Sequence, residues 1–577
     1  MFLSRRPLLS ATGIITSASA FYVGSNTERR EQTLYTFVGV ARFSHAFYHG
    51  ARAALAYKLL PNEEDASFVD KQKAVHKRSA ERLLEVARAQ GGMYVKIGQY
   101  LSTLTHILPK EWTETLTALQ DRAPSVSWNE IRRVFEDDFG KIPEDVFSEI
   151  EQEPIAAASL AQVHRAKLKS TGEEVAIKIQ YPNLKYIASS DMASLYFFFF
   201  VLEKLFPDYG YLWLFPEFRE SVDNELNFLQ ESQNGQRVAA MFSNDPRVHI
   251  PRVYSQWTSS RVLCMEFVRG VKPSNALALK EMGVDTLELA SSISRFFGEQ
   301  VHVHGFVHCD PHPGNLLVRI SPVDKKTQLV VLDHGMYRRL TPKFRVAYCK
   351  LWRALLTRND LLGLQACKDL GVSEKAYDVL SLMLVQRSAK SESGLGAKMT
   401  KEEVEALKSK YKDTQAADIN RFMQKLPRDL LFVSRNTNMV RGLNLALGGT
   451  ARGRFRITGQ CAIKGLVLTD EIGEDSTSLL GTGIGTTLVS DAKFDLKGGK
   501  RKGGEGRGLG GGLNPLTESE IQKQKGSLSL GRRLFQTGSL GYNIASLEYR
   551  LWLIDVVWPW LFGRAVDDHD AIEVAKG

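Results

Sequence analysis

The sequence predicts an α+β fold built as two lobes. A first β-like region, residues 155–178, contains the runs ASLAQVHRAKL and EEVAIK on either side of the turn-forming tripeptide STG, a pattern typical of a β-hairpin. A second β-like pair is expected at 248–254 and 261–267. Because a mostly helical stretch then extends to about residue 468, we expect one sheet-rich lobe and one larger helical lobe.

Helices are predicted on both sides of the sheet-rich region. Residues 64–150 combine strong helix formers with apolar residues that recur among Lys, Arg and Glu. After residue 267, helical texture continues to about 303, and two short strands, NLLVRI and QLVVLD, precede the long helical stretch. The string SLYFFFFVL at 194–202 ends well before a membrane-spanning length, so we expect a buried or interfacial helix.

Composition narrows the class of protein but does not choose a partner. The 577 residues are 43% hydrophobic and 24% charged, which excludes a wholly disordered chain. A net charge of +10 suits an anionic membrane, a nucleic acid or a mitochondrial address. The five cysteines are scattered and form no C-x-x-C pair, so neither a disulfide framework nor a structural zinc site is predicted.

The N-terminal segment has the composition of a mitochondrial targeting sequence. Residues 1–27 contain no acidic residue, are rich in Ser, Thr and Ala, and include Arg5 and Arg6. The uncharged run 7–27 has 21 residues, enough to cross a hydrocarbon core of roughly 30 Å, so the segment is either cleaved after import or retained as a transmembrane anchor. The scattered cysteines disfavour secretion.

Two segments follow the predicted lobes. Residues 481–520 contain KGGKRKGGEGRGLGGG, which cannot bury enough apolar surface to fold, so a flexible segment is predicted. Residues 521–577 contain LEYRLWLIDVVWPWLF, expected either to cap the main domain or to contact a membrane interface. No nucleic-acid partner is predicted, because no nucleic-acid motif accompanies the basic stretch.

The strongest chemical signal is HCDPHPGN at 308–315, followed by DHG at 333–335. Asp310 and Asn315 have the spacing of the kinase catalytic loop H-R-D-x-x-x-x-N, and Asp333 stands where a D-F-G aspartate would. Phosphoryl transfer needs a carboxylate near the acceptor and oxygen ligands that hold magnesium against the phosphates. The pattern therefore predicts a protein-kinase-like site for ATP and Mg²⁺, with Asp310 catalytic and Asn315 and Asp333 as metal ligands.

Two other interpretations of this segment are weaker. Each polar residue taken singly is compatible with a local turn, but the order and spacing of all three favour a site. His304, His308 and His312 recur at intervals of four, as on a metal-binding helix. The prolines and glycine of HCDPHPGN break any helix there.

Lys178 ends the run V-A-I-K, the setting in which a strand lysine reaches the α- and β-phosphates of ATP. It needs an acidic partner, and the helical run FRESVDNELNFLQES supplies Glu220, Glu225 and Glu231. Residues 265–268 are expected to link the lobes, with the backbone of Met265 and Glu266 hydrogen-bonding adenine.

No G-x-G-x-x-G loop precedes Lys178; the alanine-rich run PIAAASLAQV stands in its place. Alanine keeps a backbone N–H that can contact phosphate, but its Cβ disfavours positive φ angles, so a stiffer loop is predicted. The predicted nucleotide-binding residues here are Ile155, Ala156, Ala157, Ala158, Ser159 and Val163.

Together these motifs resemble the aarF-domain-containing (ADCK/UbiB) family of atypical kinase-like proteins, in its mitochondrial branch. The resemblance spans roughly residues 85–340 and includes KIGQ at 96–99, the alanine loop, the glutamate-bearing helix, and HCDPHPGN with DHG. It implies that Lys96 and Gln99 belong to the K-x-G-Q motif of an N-terminal extension that folds over the site and blocks peptide substrates. It also implies that Lys178 pairs with Glu231.

The chain departs from the family's E-x-D motif, because the corresponding residues here are Glu225, Leu226 and Asn227. An ionic contact with Lys96 would therefore rest on Glu225 alone. The family is associated with membranes and with coenzyme Q or other isoprenoid-lipid metabolism. The resemblance implies an ATPase or atypical kinase at a mitochondrial membrane, the inner one being expected, with membrane lipid as partner and an isoprenoid lipid as a further ligand. A small-molecule or protein kinase and a pseudokinase scaffold stay open as alternatives.

The predicted organisation is therefore a targeting segment or anchor at 1–31, a helical K-x-G-Q extension at 64–150, an N-lobe at 151–268, a C-lobe at 269–480, a flexible segment at 481–520 and a Trp-rich segment at 521–577.

Overall fold

The computed structural model describes residues 27–61, 65–104, 108–119, 126–182, 184–207, 210–389, 391, 399–411 and 416–472. These ranges contain every predicted site residue. Residues 1–26, with most of the predicted targeting segment or anchor, lie outside them, as do residues 481–577 with both predicted C-terminal segments.

The strands are β1 (Phe147–Ile150), β2 (Ala156–Ala157), β3 (Ala161–Leu168), β4 (Glu174–Gln180), β5 (Val248–His249), β6 (Val262–Glu266), β7 (Phe306–His308), β8 (Leu316–Ile320), β9 (Thr327–Val331) and β10 (Tyr337–Arg339). The helices up to the middle of the chain are α1 (Thr27–Lys58), α2 (Phe68–Gln90), α3 (Gly92–Ser102), α4 (Lys110–Leu116), α5 (Trp128–Phe139), α6 (Pro143–Val146), α7 (Leu184–Leu205), α8 (Phe215–Glu225) and α9 (Phe228–Met241). The later helices are α10 (Ala276–Glu281), α11 (Thr286–Glu299), α12 (Pro342–Thr357), α13 (Asp360–Asp369), α14 (Tyr377–Val385), α15 (Lys401–Lys410), α16 (Ala416–Gln424), α17 (Arg428–Ala446) and α18 (Ala451–Ile472).

An antiparallel sheet forms the smaller lobe, in the order β1-β3-β4-β6, with β2 also paired to β3. The predicted hairpin is confirmed, because β3 and β4 pair from Ala161 opposite Gln180 to Lys167 opposite Glu174. One face of this sheet shares a buried core with α5, which covers β4. The predicted α+β class with two lobes is confirmed.

The second predicted β pair is only partly correct. The amide of Tyr254 donates to the Cys264 carbonyl at 2.9 Å, as expected for neighbouring strands. Val248 and His249, however, pair in parallel with β9 in the larger lobe. Pro251 stands between the two parts and has no N–H with which to continue a ladder, so the segment divides there.

The larger lobe contains the sheet β5-β9-β8 and the two-stranded pair β10-β7. The predicted strands NLLVRI and QLVVLD are confirmed as the antiparallel pair β8 and β9. Helix α11 passes into a π-helical turn that ends at Gly305, where φ is 60°. His304 therefore lies at a helix end, His308 in β7 and His312 in a loop, so the three histidines do not share a helix.

Helices α2 to α6 occupy much of the predicted helical region 64–150. The prediction is wrong for Phe147–Ile150, which form β1 and pair with β3. Phe147 is buried there and the next two residues are exposed, so packing and pairing override the local helical composition. Helix α1, which packs beside α2 and α7, was not predicted from the sequence.

Within the described ranges, no helix combines the length and apolarity needed to cross a membrane. The aromatic string at 194–202 lies in α7, which confirms that the string is helical. Only one side of it is buried: Leu195 is 5% exposed, whereas Tyr196 and Phe200 are 50% and 42% exposed.

Candidate active site

Lys178 lies on β4, opposite Val163 of β3 and Leu263 of β6. Its ammonium is 2.8 Å from both carboxylate oxygens of Glu231, which is 2% exposed on α9. Burial alone would lower the pKa of Lys178, but the carboxylates of Asp333 and Glu231 outweigh it and raise the pKa. Lys178 is therefore held as a fixed cation at the sheet surface.

The loop after β7 carries Asp310 and Asn315. The amide of Asp310 donates to His308 Nδ1 at 3.1 Å, and the Asn315 side chain donates to the Asp310 carbonyl at 3.3 Å. The amide of Leu332 donates to the Asn315 carbonyl at 2.9 Å. That last contact joins the loop to the end of β9, one residue before Asp333.

Asp333 completes the cluster. Its Oδ2 atom is 3.7 Å from Lys178 Nζ, and its Oδ1 atom accepts the Gly335 amide at 2.8 Å. Burial would raise the pKa of this carboxyl, but the Lys178 ammonium and the Gly335 amide outweigh it and hold the pKa well below its usual range. A Cβ at position 335 would lie 3.2 Å from Asp333 Oδ1, so glycine suits this close approach.

Lys96, on α3 of the extension, forms an ion pair with Glu225 on α8. Burial would lower the pKa of Lys96, but the carboxylates of Glu225, Asp310 and Asp333 outweigh it and raise the pKa. The extension thus places a second cation within the electrostatic field of the cluster. Gln99 is turned elsewhere: its side-chain amide donates to the Leu119 carbonyl at 2.9 Å, within the extension.

Asn227 does not contribute to the contact with Lys96. It is the N-cap of α9, and its side-chain oxygen accepts the Leu229 amide at 3.2 Å. Asparagine suits an N-cap as well as aspartate does. The ionic contact between the extension and α8 accordingly rests on Glu225.

The alanine loop folds back and pairs with strand β3. Ala156 and Ala157 form β2 against Val163 and Gln162. The amide of Ile155 donates to the Val163 carbonyl at 2.8 Å, and the amide of Ala158 donates to the Ala161 carbonyl at 2.8 Å. Two of the amides predicted to contact phosphate therefore already have acceptors, and Ser159 is only 3% exposed.

The segment predicted to hold adenine links the lobes through Glu266. Its carboxylate is 3.0 Å from His249 Nε2 of β5 and 3.8 Å from Arg319 of β8. Burial would raise the pKa of Glu266, but His249 and the Arg252 amide outweigh it and lower the pKa. The amides of Glu266 and Phe267 donate to the carbonyls of Arg252 and Glu174. Contact of Met265 and Glu266 with adenine stays a prediction.

Comparison with known proteins identifies the family. Residues 118–365 match the ABC1 atypical kinase-like domain. The mouse AarF domain-containing protein kinase 1 is 33% identical over 80% of this chain and 87% of its own length. The corresponding Xenopus laevis protein is 34% identical over 68% of this chain and 75% of its own length. The chain belongs to the ABC1/AarF atypical kinase-like family.

A third relative, the Dictyostelium discoideum "Probable serine/threonine-protein kinase abkD", is 37% identical over 74% of this chain. The chain covers 61% of that protein's length. The ABC1 match includes the cluster around Lys178 and Asp333 but begins after Lys96.

We call Lys178, Glu231, Asp310, Asn315 and Asp333 the ABC1 cluster. One residue that contacts this cluster was not predicted from the sequence. Arg435, on α17, lies with its Nη2 atom 3.5 Å from Asp310 Oδ1, and its side chain is 8% exposed. Its guanidinium stands 5.4 Å from the centre of the Tyr100 ring, on the extension helix α3. No local pattern marks Arg435, because its partner lies 125 residues earlier.

The ABC1 cluster has the donors that a magnesium nucleotide needs. Asn315 and Asp333 carry side-chain oxygens of the kind that Mg²⁺ prefers, and Asp333 is ionised at neutral pH because its pKa is held low. The described residues form no group of three or more His, Cys, Asp or Glu side chains able to cage a metal, and a nucleotide-bound magnesium does not need such a cage. The residues present therefore fit Mg²⁺ held jointly by protein and phosphate oxygens.

Proposed function

We propose that this chain is an ATP-hydrolysing atypical kinase that acts at a mitochondrial membrane, where the inner membrane is expected, and supports coenzyme Q or lipid homeostasis. The observation that carries the proposal is the convergence of Lys178, Glu231 and Asp333 beside Asp310, with Lys96 of the extension brought to the same carboxylates. Phosphoryl transfer depends mainly on positioning and charge neutralisation, which this cluster is equipped to provide.

In this proposal each side chain has one task. Lys178, oriented by Glu231, holds the α- and β-phosphates, and Asn315 and Asp333 hold Mg²⁺, which when bound neutralises phosphate charge. Asp310 orients the attacking water, or the hydroxyl of a small acceptor, and accepts its proton as ADP leaves, and Arg435 at 3.5 Å positions the Asp310 carboxylate. Lys96 and the extension restrict access by bulky acceptors, which favours water or a small acceptor over a peptide.

ATP turnover by the full chain tests the catalytic part. We expect Mg²⁺-dependent phosphate release, with faster turnover on anionic, cardiolipin-containing vesicles. Asp333→Asn should lower kcat by at least 100-fold, because it removes a charge that binds the metal in the transition state. The matched control is Asp360→Asn, an aspartate on the surface of α13. Magnesium-dependent ATP binding without turnover would instead indicate a pseudokinase scaffold.

The location is tested separately. The acid-free N-terminal composition supports import, and protease protection on intact and outer-membrane-ruptured mitochondria would place the catalytic lobes. Digestion of the protein on intact mitochondria would contradict an internal location.

A second candidate is a kinase that phosphorylates a protein or a small molecule. It is favoured by the name of the Dictyostelium relative and by the H-x-D-x-x-x-x-N spacing of Asp310 and Asn315. Radiolabelled ATP and a mitochondrial extract would show labelled products that Asp310→Ala abolishes. Phosphate release without any labelled product would favour the ATPase.

A further inference from the structure

Helices α1 and α7 lie side by side and form one surface. The Phe43 ring is 5.5 Å from that of Phe197 and 5.6 Å from that of Phe198, centre to centre. Arg42 Nε donates to the buried carboxylate of Asp191 at 2.9 Å. These contacts join the two helices near the middle of α1.

The outward side of this pair is apolar. On α1 the exposed residues recur at helical spacing, and the same holds for the aromatic residues of α7. We call this surface the aromatic face: Phe37, Val40, Phe47, Tyr48, Leu55, Tyr196, Phe197 and Phe200, which are between 39% and 71% exposed. Phe47 lies 5.8 Å from Phe43, which itself contacts Phe197, so the two stripes are continuous. Contiguous apolar surface of this kind marks a binding surface rather than scattered exposure.

The exposed charges on α1 are positive among its described side chains, and Glu85 of α2 lies 3.7 Å from His49. From residue 32 to residue 61 the sequence contains no aspartate or glutamate. Arg52 and Lys58 are exposed on α1, and Lys204 is exposed on α7. Of the acidic residues in α7, Asp191 is only 1% exposed and is paired with Arg42, which leaves Glu203 at the surface.

These charges discriminate between two occupants. In a symmetric dimer the same patch meets itself, so Arg52, Lys58 and Lys204 would approach their own copies. Among the described side chains of α1 and α7, Glu203 alone is an exposed acidic residue that could offset them. Aromatic and aliphatic residues flanked by Lys and Arg are instead the combination that lies in the interface of an anionic bilayer. We propose that the aromatic face docks on an anionic phospholipid surface. The proposal rests on the membrane association in the proposed function and names the surface responsible.

The docked surface is close to the active-site extension. The Arg42 guanidinium that joins α1 to α7 also stands 5.5 Å from the centre of the Tyr94 ring on α3. Tyr94 is two residues before Lys96 in the same helix. Arg42 and Tyr94 therefore connect the aromatic face to the helix that carries Lys96.

Site-specific labelling tests the contact directly. The five native cysteines are all buried, so a single introduced surface cysteine can be labelled selectively. We would label Tyr48→Cys with an environment-sensitive fluorophore in the full chain and add vesicles of phosphatidylcholine with phosphatidylglycerol. The matched control is Val323→Cys, at an apolar residue 90% exposed in the turn between β8 and β9.

We expect a blue shift at position 48 and quenching there by nitroxide lipids, with neither at position 323. Equal responses at the two positions, or no response at 48 while the protein sediments with the vesicles, would overturn the proposal. A response at 48 that appears without vesicles and grows with protein concentration would assign the face to a second copy and also overturn it.

Substitutions separate the apolar from the charged contribution. Phe37→Ser with Phe200→Ser should weaken partitioning at least tenfold on any vesicle that binds the chain, whereas Val323→Ser with Leu361→Ser, at residues 90% and 82% exposed, should not. Arg52→Ala should weaken partitioning about fivefold on anionic vesicles and leave zwitterionic ones unchanged. Equal loss in both pairs of serine variants would contradict a localised face.

The two proposals can fail independently. ATP turnover without vesicles should be unchanged in Phe37→Ser with Phe200→Ser. If turnover persists but position 48 does not respond to vesicles, the docking proposal fails and the catalytic one stands. If turnover is absent while position 48 responds, the reverse holds.

Discussion

Two lysine–glutamate ion pairs meet in the candidate active site, and they join different parts of the molecule. Lys178 and Glu231 connect β4 to α9 within the catalytic lobe, with exposures of 11% and 2%. Lys96 and Glu225 connect the extension to α8, with exposures of 12% and 18%. The two lysines are almost equally exposed, but the Glu231 carboxylate is sealed from water, whereas Glu225 has an exposed edge. We infer that the first pair is a fixed part of the fold and that the second is the easier one to separate.

Removal of the lysine from each pair is the strongest test of this difference. Lys178→Met leaves a 2% exposed Glu231 without its cation, so we expect the free energy of unfolding to fall by about 3 kcal/mol. Lys96→Met should cost only about 1 kcal/mol, because Glu225 can reach water. Urea denaturation measures both, and Lys350→Met, in a surface pair 3.9 Å long, is the control expected to change little. Equal losses of unfolding free energy in Lys178→Met and Lys96→Met would show that the two ion pairs do not differ in stability.

The two pairs also differ in how far the sequence could predict them. Lys178 was predicted from V-A-I-K after a hairpin, and Asp310 and Asn315 from the spacing within a single loop, because such patterns encode local geometry. Three glutamates were candidates for the partner of Lys178, and the choice of Glu231 came from the family resemblance, as did the position of Lys96.

Contacts between distant parts of the chain could not be predicted. Arg435 and helix α1 have no local motif, since their placement depends on the packing of the extension against the catalytic lobes. Similarly, Phe147–Ile150 looked helical because their strand partner, β3, lies in a later segment. The division at Pro251 was visible in the sequence as a residue without an N–H, but not where each half would pair.

A pH test examines the helix that carries Glu225. At its other end Glu217 is 5% exposed, with Arg428 Nε at 3.8 Å, and its Oε1 atom has no hydrogen-bond partner. Burial raises the pKa of Glu217 from 4.5 to about 7, although Arg428, Arg338 and Arg435 oppose the rise. The folded state therefore binds a proton that the unfolded state releases between these pH values.

The sign follows from linkage. The stability that protonated Glu217 gives the folded state is fully present below pH 4.5 and is lost as pH rises through about 7. The free energy of unfolding falls by at most about 3 kcal/mol over this range. Glu217→Gln should remove this pH dependence. The free energy of unfolding of the variant should therefore rise relative to that of the parent protein as pH increases from 5 to 8. Urea midpoints across that range measure the effect, with Glu220→Gln, a more exposed residue of the same helix, as control. Parallel curves for parent and Glu217→Gln would contradict it.

Magnesium titration tests whether the Lys96 cation competes with metal. The carboxylates of Asp310 and Asp333 are among the groups that raise the Lys96 pKa, so removing this positive charge should favour a divalent cation nearby. Lys96→Met should lower the magnesium concentration for half-maximal nucleotide binding by roughly tenfold at low salt, and less at high salt. Lys178→Met, in contrast, should lower the affinity for the nucleotide itself. A magnesium requirement unchanged in Lys96→Met would show that the extension does not act on the metal site.

The smallest effect should come from restoring the family's E-x-D motif. Because Asn227 caps α9 by accepting the Leu229 amide, Asn227→Asp keeps that bond and adds a charge at a helix N-terminus, a gain of about 0.5 kcal/mol. Asn227→Ala should lose about 1 kcal/mol, since the Leu229 amide is left without its acceptor. Thermal denaturation measures both variants. If Glu225 alone holds Lys96, Asn227→Asp should leave the magnesium titration close to that of the parent. A shift as large as that of Lys96→Met would place residue 227 in the contact between extension and catalytic lobe, and the two ion pairs would then differ less than their exposures indicate.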